Sequence, residues 1–166
     1  MASDIFLGIG SNRGEKYNFI LRAAGLLGSS VKCGVVKCSS IYETTPYGNV
    51  KQENFLNAVI QIETSYTANE LFSFVKSIES SIGRKSSERW GPREIDIDIL
   101  FYNSLIYNSD DLVIPHPEAM KRDFVVVPLT EIAPEFIHPV TKSKIKNFDI
   151  STIESHIVAK TNFRIK

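Results

Sequence analysis

Residues 55–83, FLNAVIQIETSYTANELFSFVKSIESSIG, contain a strand that is followed directly by a helix. Over residues 55–62 every even position is apolar, which indicates a strand with one buried face. Thr67, with Glu70 three positions later, has the capping-box pattern of a helix start. Apolar residues then recur at helical spacing until Gly83, which is suited to end the helix. The segment therefore predicts one strand–helix unit.

The preceding residues predict two more strands and one more helix. Residues 4–9 are typical of a short buried strand, which runs into the turn-rich residues 8–14. Apolar positions at helical spacing predict a helix over residues 16–27, which Gly28 is placed to end. Valine-rich residues 31–42 predict the next strand.

The residues that follow predict one more strand of the main sheet. Residues 95–102 are typical of a strand, residues 102–117 of a turn and short hairpin, and residues 122–129 of a short helix with Pro128 at or near its end. The resulting order, βαββαβ, predicts an α+β fold of the ferredoxin-like sandwich type. We expect an antiparallel sheet with helices packed on one face, plus a small C-terminal hairpin and helix extension. We treat residues 1–166 as one domain.

Composition excludes several classes of protein. The 19 Lys and Arg balance 19 Asp and Glu, so no overall positive field favours nucleic acid or an anionic membrane. No apolar stretch is long enough to span a bilayer, and the first residues lack the pattern of a signal peptide. The two cysteines have no metal or redox spacing. These features predict a cytoplasmic protein.

Two acidic residues alternate on the strand of residues 95–102. Asp96 and Asp98 project to the same face, with Cα atoms about 6.5–7 Å apart. Carboxylates at this spacing suit a hard cation such as Mg²⁺, or a pair of them. The alternative is an edge strand with a solvated acidic face.

Cations come shortly before this strand. Arg89 and Arg93 flank a Trp-Gly-Pro turn in front of it, and Arg84 precedes them. The guanidinium groups of arginine bind phosphate oxygens in a bidentate manner. Together with the carboxylates they predict a site for a metal-bound polyphosphate. Alternatively, these cations pair with Glu88 and Glu94 at the surface. The chain has no P-loop, and the glycines after the first strand lack the dinucleotide-binding spacing.

A second cluster suits a planar heterocycle. Asn57 lies among apolar neighbours and carries both donors and an acceptor, which match the edge of a ring such as a pterin. Phe55 and Phe124 could stack on the two sides of such a ring. The alternative is an asparagine bonded to backbone beside core aromatics. His116, held between two prolines, is either a phosphate donor or a surface turn residue.

These segments together resemble the hydroxymethyldihydropterin pyrophosphokinases of folate biosynthesis. The resemblance extends over most of the chain, from about residue 5 to residue 139. It is carried by LGIGSN (7–12), SIYETTPYG (40–48), FLNA (55–58), RWGPREIDIDIL (89–100), VIPHP (113–117) and RDF (122–124).

The resemblance implies a role for each matching residue on the nucleotide side. Asp96 and Asp98 would bind two Mg²⁺ ions that bridge the phosphates of ATP, the co-substrate. Arg84 and Arg93 would stabilise the transferring group. The remaining nucleotide-side residues would be Glu79, Trp90, Ile99, His116 and Arg122. Lys76, Asp111 and Val113 depart from the residue types known at these positions.

The resemblance also implies the substrate pocket and the reaction. The pterin would be lined by Thr44, Pro46, Tyr47, Phe55, Asn57 and Phe124. A monomer would transfer diphosphate from ATP to the hydroxymethyl group of a reduced pterin, with no nucleic-acid or membrane partner. The rival hypotheses are a ferredoxin-like module that binds nucleotide or RNA without chemistry, and a phosphotransferase with another acceptor.

Overall fold

The computed structural model describes residues 3–48, 51–83 and 92–165 of the chain. Arg84 and Trp90, which the sequence analysis assigns to the site, lie outside these described residues. Within the described ranges, every helix is too short or too polar to span a bilayer.

The described residues form an α+β fold with an antiparallel sheet, as predicted. The strands are β1 (Ile5–Ser11), β2 (Cys33–Cys38), β3 (Tyr42–Thr44), β4 (Phe55–Thr64), β5 (Asp96–Tyr102), β6 (Tyr107–Asn108), β7 (Val113–Ile114) and β8 (Ile157–Lys160), and the α-helices are α1 (Lys16–Ser29), α2 (Ala68–Ile82) and α3 (Asp123–Ile132). The main sheet has the order β5-β1-β4-β3-β8, and β2 also pairs with β4. Strands β6 and β7 form the predicted hairpin.

Helix α2 begins and ends where the sequence predicts. The Thr67 side chain accepts from the Glu70 backbone N–H, and the Glu70 carboxylate accepts from the Thr67 N–H, which completes the capping box. Gly83 ends the helix at φ 105°, a conformation that side-chain-bearing residues rarely adopt. Local chemistry therefore determines both ends of this helix.

Two predicted boundaries at the N-terminal end are wrong. Helix α1 continues through Gly28 to Ser29, so this glycine does not end it. Strand β1 extends through Gly10 to Ser11, although this glycine-containing segment is predicted as a loop. Pairing with β4 on one side and β5 on the other gives these residues hydrogen-bond partners that outweigh their low strand propensity.

Helices pack on both faces of the sheet, and the prediction of helices on one face is wrong for α3. Helices α1 and α2 cover one face with a core that includes Leu7 and Ile60. Helix α3 packs on the other face against Phe6 and Phe101, whose large side chains would otherwise be exposed to water. On this second face, therefore, only the area that α3 does not cover is open for a ligand.

Helix α3 also continues past Pro128 to Ile132. Proline removes one helical hydrogen bond. Val125, Leu129 and Ile132 are nevertheless buried against the sheet. Packing of this face outweighs the loss, so the predicted helix end near Pro128 is wrong.

The predicted strand over residues 31–42 is divided into β2 and β3. At the break, Ser39 exchanges hydrogen bonds with Val59: its N–H donates to the Val59 carbonyl and its hydroxyl accepts from the Val59 N–H. These side-chain contacts replace the regular ladder. The break brings β3 against the end of β4 that carries Asn57.

A polar cluster of the exposed Glu131 with the buried Ser40 and Tyr42 connects α3 to this break. Glu131 accepts from the Tyr42 hydroxyl at 2.6 Å and from the Ser40 backbone N–H and hydroxyl, each at 2.8 Å. Burial acts to raise the pKa of Glu131, but the bonds from Tyr42 and Ser40 outweigh it and lower the pKa below 4.5.

Tyr42→Phe is expected to lower the free energy of unfolding by about 1 kcal/mol at neutral pH, because it removes one hydrogen bond to a charged acceptor that is partly exposed. The lowered pKa means that the ionised Glu131 stabilises the fold above pH 4.5, and that this contribution is lost as the pH falls below that value. Urea unfolding should therefore show a difference between wild type and variant that shrinks in acid. If wild type and variant differ in free energy of unfolding by the same amount at neutral pH and below pH 4.5, this interpretation is wrong.

The C-terminal tail, for which the sequence shows no clear pattern, adds a strand to the sheet. Strand β8 pairs with β3, so that Tyr42 lies opposite Lys160 and Thr44 opposite Ile157. The Thr161 hydroxyl donates to the Ile41 carbonyl at 2.8 Å. The tail therefore covers the edge of β3, next to the candidate site.

Candidate functional site

A cavity of about 320 Å³ lies beside α3 on the sheet face opposite α1 and α2. It is lined by residues of β1, β3, β4, β5 and α3, by Lys76 of α2 and by residues of the connecting segments. The residues that line it are Gly8, Ile9, Gly10, Thr44, Thr45, Tyr47, Gln52, Phe55, Asn57, Ala58, Lys76, Arg93, Asp96, Asp98, Leu100, His116, Arg122, Phe124 and Val125. Most of the site residues that the sequence predicts, and that the structure describes, line this one cavity.

Asp96 and Asp98 both line the cavity, as the alternation on β5 predicts. Ile97 and Ile99 are buried on the other face, and the Asp98 side chain is 29% exposed. Burial, and then the Asp96 carboxylate, raises the pKa of Asp98 to about 7. Strand β5 is at the sheet edge, but the Asp96 and Asp98 side chains on it are half-buried and not fully solvated. The two carboxylates also repel each other. The arrangement favours a cation site over a solvated acidic face.

The glycines of β1 form the floor between the two halves of the cavity. Gly8 lies opposite Asp98 in the sheet, and Gly10 lies between Asp96 and Asn57. A Cβ atom on Gly10 would lie 2.2 Å from Asn57 Oδ1, so only glycine leaves room for the amide in its present position. Sequence analysis missed this role, although glycines two apart in a buried strand are a signal for close approach.

His116 faces the carboxylates in its neutral form. Its backbone N–H donates to the Leu100 carbonyl, and its ring Nδ1 accepts from the backbone N–H of Glu118 at 3.1 Å. The proton is therefore assigned to Nε2, which lies 4.0 Å from Asp98 Oδ2. Burial, and then the Arg122 charge, lowers the pKa of His116 to about 4. The ring is a neutral donor into the cavity, which favours the site hypothesis over a surface turn.

Two arginines bring positive charge to the cavity. The Arg122 guanidinium lies over the Tyr47 ring, 4.8 Å from its centroid, and its buried Nε has no hydrogen-bond partner among the described residues. The Arg93 backbone is held by Asn12, whose side-chain oxygen accepts from the Arg93 N–H at 2.8 Å. Glu94 lies 3.8 Å from Arg13, while Arg93 lines the cavity.

The opposite end of the cavity is lined by an amide and by aromatic rings. Asn57 Nδ2 donates to the buried Thr44 hydroxyl at 2.8 Å. Phe55 and Phe124 are half-buried and line the cavity, as does Tyr47. These positions favour a binding pocket over core packing. Pro46 is half-buried and is not among the described residues that line the cavity.

A second cavity of about 310 Å³ adjoins the first at Lys76, Asp98 and His116. Its other lining residues are Phe72, Ile97, Ile99, Asp110, Asp111, Leu112, Val113 and Pro117. Glu79, predicted to lie near a nucleotide, is buried and pairs with Lys76 at 2.8 Å. Glu79 is not among the described residues that line either cavity. Lys76, which lines both cavities, lies between them and Glu79.

The protein supplies few ligands for a metal ion at Asp96 and Asp98, so that a substrate could supply others. Among residues 3–48, 51–83 and 92–165, no three or more His, Cys, Asp or Glu side chains converge to hold a metal ion. Mg²⁺ commonly takes one or two protein carboxylates and completes its shell with water and substrate phosphates. Asp96 and Asp98 fit that pattern.

Comparison with known proteins supports the pattern of residues. The family model described as 7,8-dihydro-6-hydroxymethylpterin-pyrophosphokinase (HPPK) matches residues 6–134. The 2-amino-4-hydroxy-6-hydroxymethyldihydropteridine pyrophosphokinase of Aquifex aeolicus is 42% identical over 144 residues, which cover 87% of this chain and 89% of that protein.

The chain belongs to the HPPK family. Another relative, the folic acid synthesis protein FOL1 of Dictyostelium discoideum, is 41% identical over 86% of this chain, but only 22% of that protein is covered. The crystal structure of Plasmodium falciparum HPPK-DHPS with pteroate matches 88% of this chain and 41% of that chain, at a TM-score of 0.67 and 16% identity. The chain thus spans less than half the length of each of these two longer proteins, and the likeness to the solved structure concerns the fold.

Proposed function

We propose that this HPPK family member transfers diphosphate from ATP to the hydroxymethyl group of 6-hydroxymethyl-7,8-dihydropterin, which gives AMP and the pterin diphosphate for tetrahydrofolate biosynthesis. One observation carries the proposal. A single cavity joins a carboxylate pair and arginines at one end to an asparagine and aromatic rings at the other. Such a cavity can bring a metal-bound polyphosphate and a planar acceptor into contact.

Asp96 and Asp98 would hold Mg²⁺, with two ions as the proposed number. When bound, the metal neutralises polyphosphate charge and orients the phosphates for displacement. The fit rests on the carboxylates themselves: burial and mutual repulsion raise the pKa of Asp98, and a bound cation would relieve both costs.

The pterin would bind with its amide edge against Asn57. The hydrogen bond from Asn57 Nδ2 to Thr44 orients the side chain, so that Oδ1 is available as an acceptor above Gly10. Phe55 and Phe124 would contact the ring faces. Pro46 and Tyr47 would complete this wall.

ATP would occupy the second cavity, with its phosphates extending into the first. His116 lines both cavities and would donate from neutral Nε2 to a ribose or phosphate oxygen. Ile99 would contact the adenosine, and Lys76 would keep Glu79 beside it. Lys76 replaces the amide that the family resemblance leads one to expect, and its ammonium group could also approach a phosphate.

The chain would catalyse in-line attack by the hydroxymethyl oxygen on the β-phosphorus of ATP. The hydroxymethyl group loses its proton to water, its oxygen bonds to the β-phosphorus, the bond between the β-phosphorus and the oxygen bridging to the α-phosphate breaks, and AMP leaves with that oxygen. Arg93 and Arg84, the latter outside the described residues, would neutralise the transferring group, and Arg122 would be a further cation beside the phosphates. Trp90, also outside the described residues, would close over the site. Positioning and charge neutralisation would supply most of the acceleration.

We also propose a ferredoxin-like arrangement for the core, a single domain and a monomer. The sheet order β5-β1-β4-β3, with α1 and α2 on one face, supports the ferredoxin-like topology. Both apolar cores share this one sheet, which supports a single domain.

The function is tested by release of AMP from ATP and Mg²⁺, with and without 6-hydroxymethyl-7,8-dihydropterin. AMP that forms only with the pterin, in equal amount to pterin diphosphate, is the expected result. A rate that depends on the second power of low Mg²⁺ concentration would support two ions. Binding of ATP without release of AMP would instead indicate a nucleotide-binding module, and AMP with another acceptor a different transferase.

A further inference from the structure

His156 is a buried residue of the C-terminal tail that stands directly behind the cavity. Only 7% of its side chain is exposed, and it precedes β8. It is not among the described residues that line the cavity.

Two sets of hydrogen bonds hold His156 between α3 and β3. The buried Asp123 carboxylate accepts from the N–H groups of His156 and Ile157, at 2.8 and 2.9 Å. On the other side, the Thr45 N–H donates to the His156 carbonyl at 2.9 Å. The Thr45 hydroxyl and His156 Nδ1 share a further hydrogen bond at 3.0 Å. Thr45 itself lines the cavity.

The imidazole ring also backs the aromatic wall. Its centroid lies 5.4 Å from the Tyr47 ring and 6.0 Å from the Phe124 ring, and both of these rings line the cavity. The Arg122 guanidinium also lies near both rings, 4.8 Å from the Tyr47 centroid and 5.8 Å from the Phe124 centroid. A side chain from the far end of the chain therefore contacts the wall assigned to the pterin, but does not reach the pterin space.

We infer that His156 is a positioning residue for the acceptor: through Nδ1 and its ring it holds Thr45 and Tyr47 in the conformation that completes the pterin wall. This inference rests on the proposed function for the identity of the acceptor. It assigns the C-terminal tail a role in acceptor affinity. The nucleotide side is served by other elements, so ATP binding should not depend on His156.

Three variants separate the hydrogen bond from the bulk of the ring. His156→Phe keeps an aromatic ring and removes Nδ1, and it is expected to raise the KM for the pterin about tenfold, with kcat and the KM for ATP within about twofold of wild type. His156→Asn keeps a polar atom near the place of Nδ1 and should restore the pterin KM to within about threefold. Thr45→Val combined with His156→Phe should be no worse than the more impaired single variant, because both remove the same hydrogen bond.

A second histidine supplies the matched control. His138 also accepts through Nδ1, from the N–H groups of Val140 and Thr141, and its ring lies 5.3 Å from Phe101, away from the cavity. His138→Phe should leave the KM for both substrates unchanged. If His156→Phe lowers kcat and raises both KM values together, or if the effects of Thr45→Val and His156→Phe simply add, the residue has only a general structural role and the inference is wrong.

One measurement is independent of the proposed function. The Thr45 amide should exchange its hydrogen for deuterium faster in His156→Phe than in wild type, with the amides of β1 unchanged. If wild type forms no AMP but this exchange increases, the proposed function fails while the positioning contact stands. If wild type is active but both exchange and pterin KM are unaltered in His156→Phe, the inference fails and the function stands.

Discussion

Asp98→Ala is expected to slow AMP release roughly a thousandfold or more, because it removes one of the two carboxylates that would hold the metal on the polyphosphate. The measurement is kcat at saturating ATP, pterin and Mg²⁺. Asp96→Ala should have a comparable effect, since both carboxylates face the same cavity. Excess Mg²⁺ should restore little of the lost rate.

The same substitution should not destabilise the protein in the absence of Mg²⁺. Asp98 is held near Asp96 in a partly desolvated site, and burial together with that repulsion raises its pKa to about 7. A carboxyl with a raised pKa destabilises the folded state when it is ionised, so its removal should leave the melting temperature equal or higher at neutral pH. Thermal unfolding with and without Mg²⁺ would show this.

Asp4→Asn is a suitable control for Asp98→Ala. Asp4 is exposed, and its N–H donates to the Asn103 side chain at the opposite end of β1 from the cavity floor. This variant should retain wild-type kcat. A folded Asp98→Ala protein with near-normal turnover would contradict the assignment of the metal site.

Gly10→Ala is expected to raise the KM for the pterin roughly 10- to 100-fold, through the loss of one or two hydrogen bonds. The new Cβ atom would lie 2.2 Å from Asn57 Oδ1, so the amide must rotate away from its place between Thr44 and the cavity. Because the displaced atom is at the end of a flexible side chain, the sheet should remain intact. Steady-state kinetics with the pterin as variable substrate would measure the effect.

Gly25→Ala is the matched control for Gly10→Ala. Gly25 lies on the exposed side of α1, and an added Cβ would have no atom within 4 Å from the described residues beyond its chain neighbours and the backbone of its own helix. The substitution should raise the free energy of unfolding by about 0.5–1 kcal/mol and leave both KM values unchanged. If Gly10→Ala binds the pterin as well as wild type, Asn57 does not carry acceptor recognition in the proposed way.

Elements whose limits depend on local chemistry could be predicted from the sequence. The capping box at Thr67 and the left-handed Gly83 define α2 without reference to the rest of the fold. Alternation on β5 correctly placed Asp96 and Asp98 on one face. Helix limits that depend on packing could not be predicted, as the extension of α3 past Pro128 shows.

The site was only partly predictable for the same reason. Asn57, Phe124 and His116 carry side chains whose chemistry suggests a ligand, and all three line the cavity. Gly8 and Gly10 contribute by having no side chain, and this role becomes visible only when the register places them opposite Asp98 and Asn57.

The amino-acid sequence by itself determined the class of fold, the family and the chemical groups available for catalysis, because periodicity, caps and motif spacing are local properties. Only the tertiary structure decided where α3 packs and that the tail returns to β3 to place His156 behind the cavity. Both depend on contacts between residues far apart in the chain. Asp123, for example, accepts two backbone N–H groups more than 30 residues away, and no local pattern in the tail encodes that pairing.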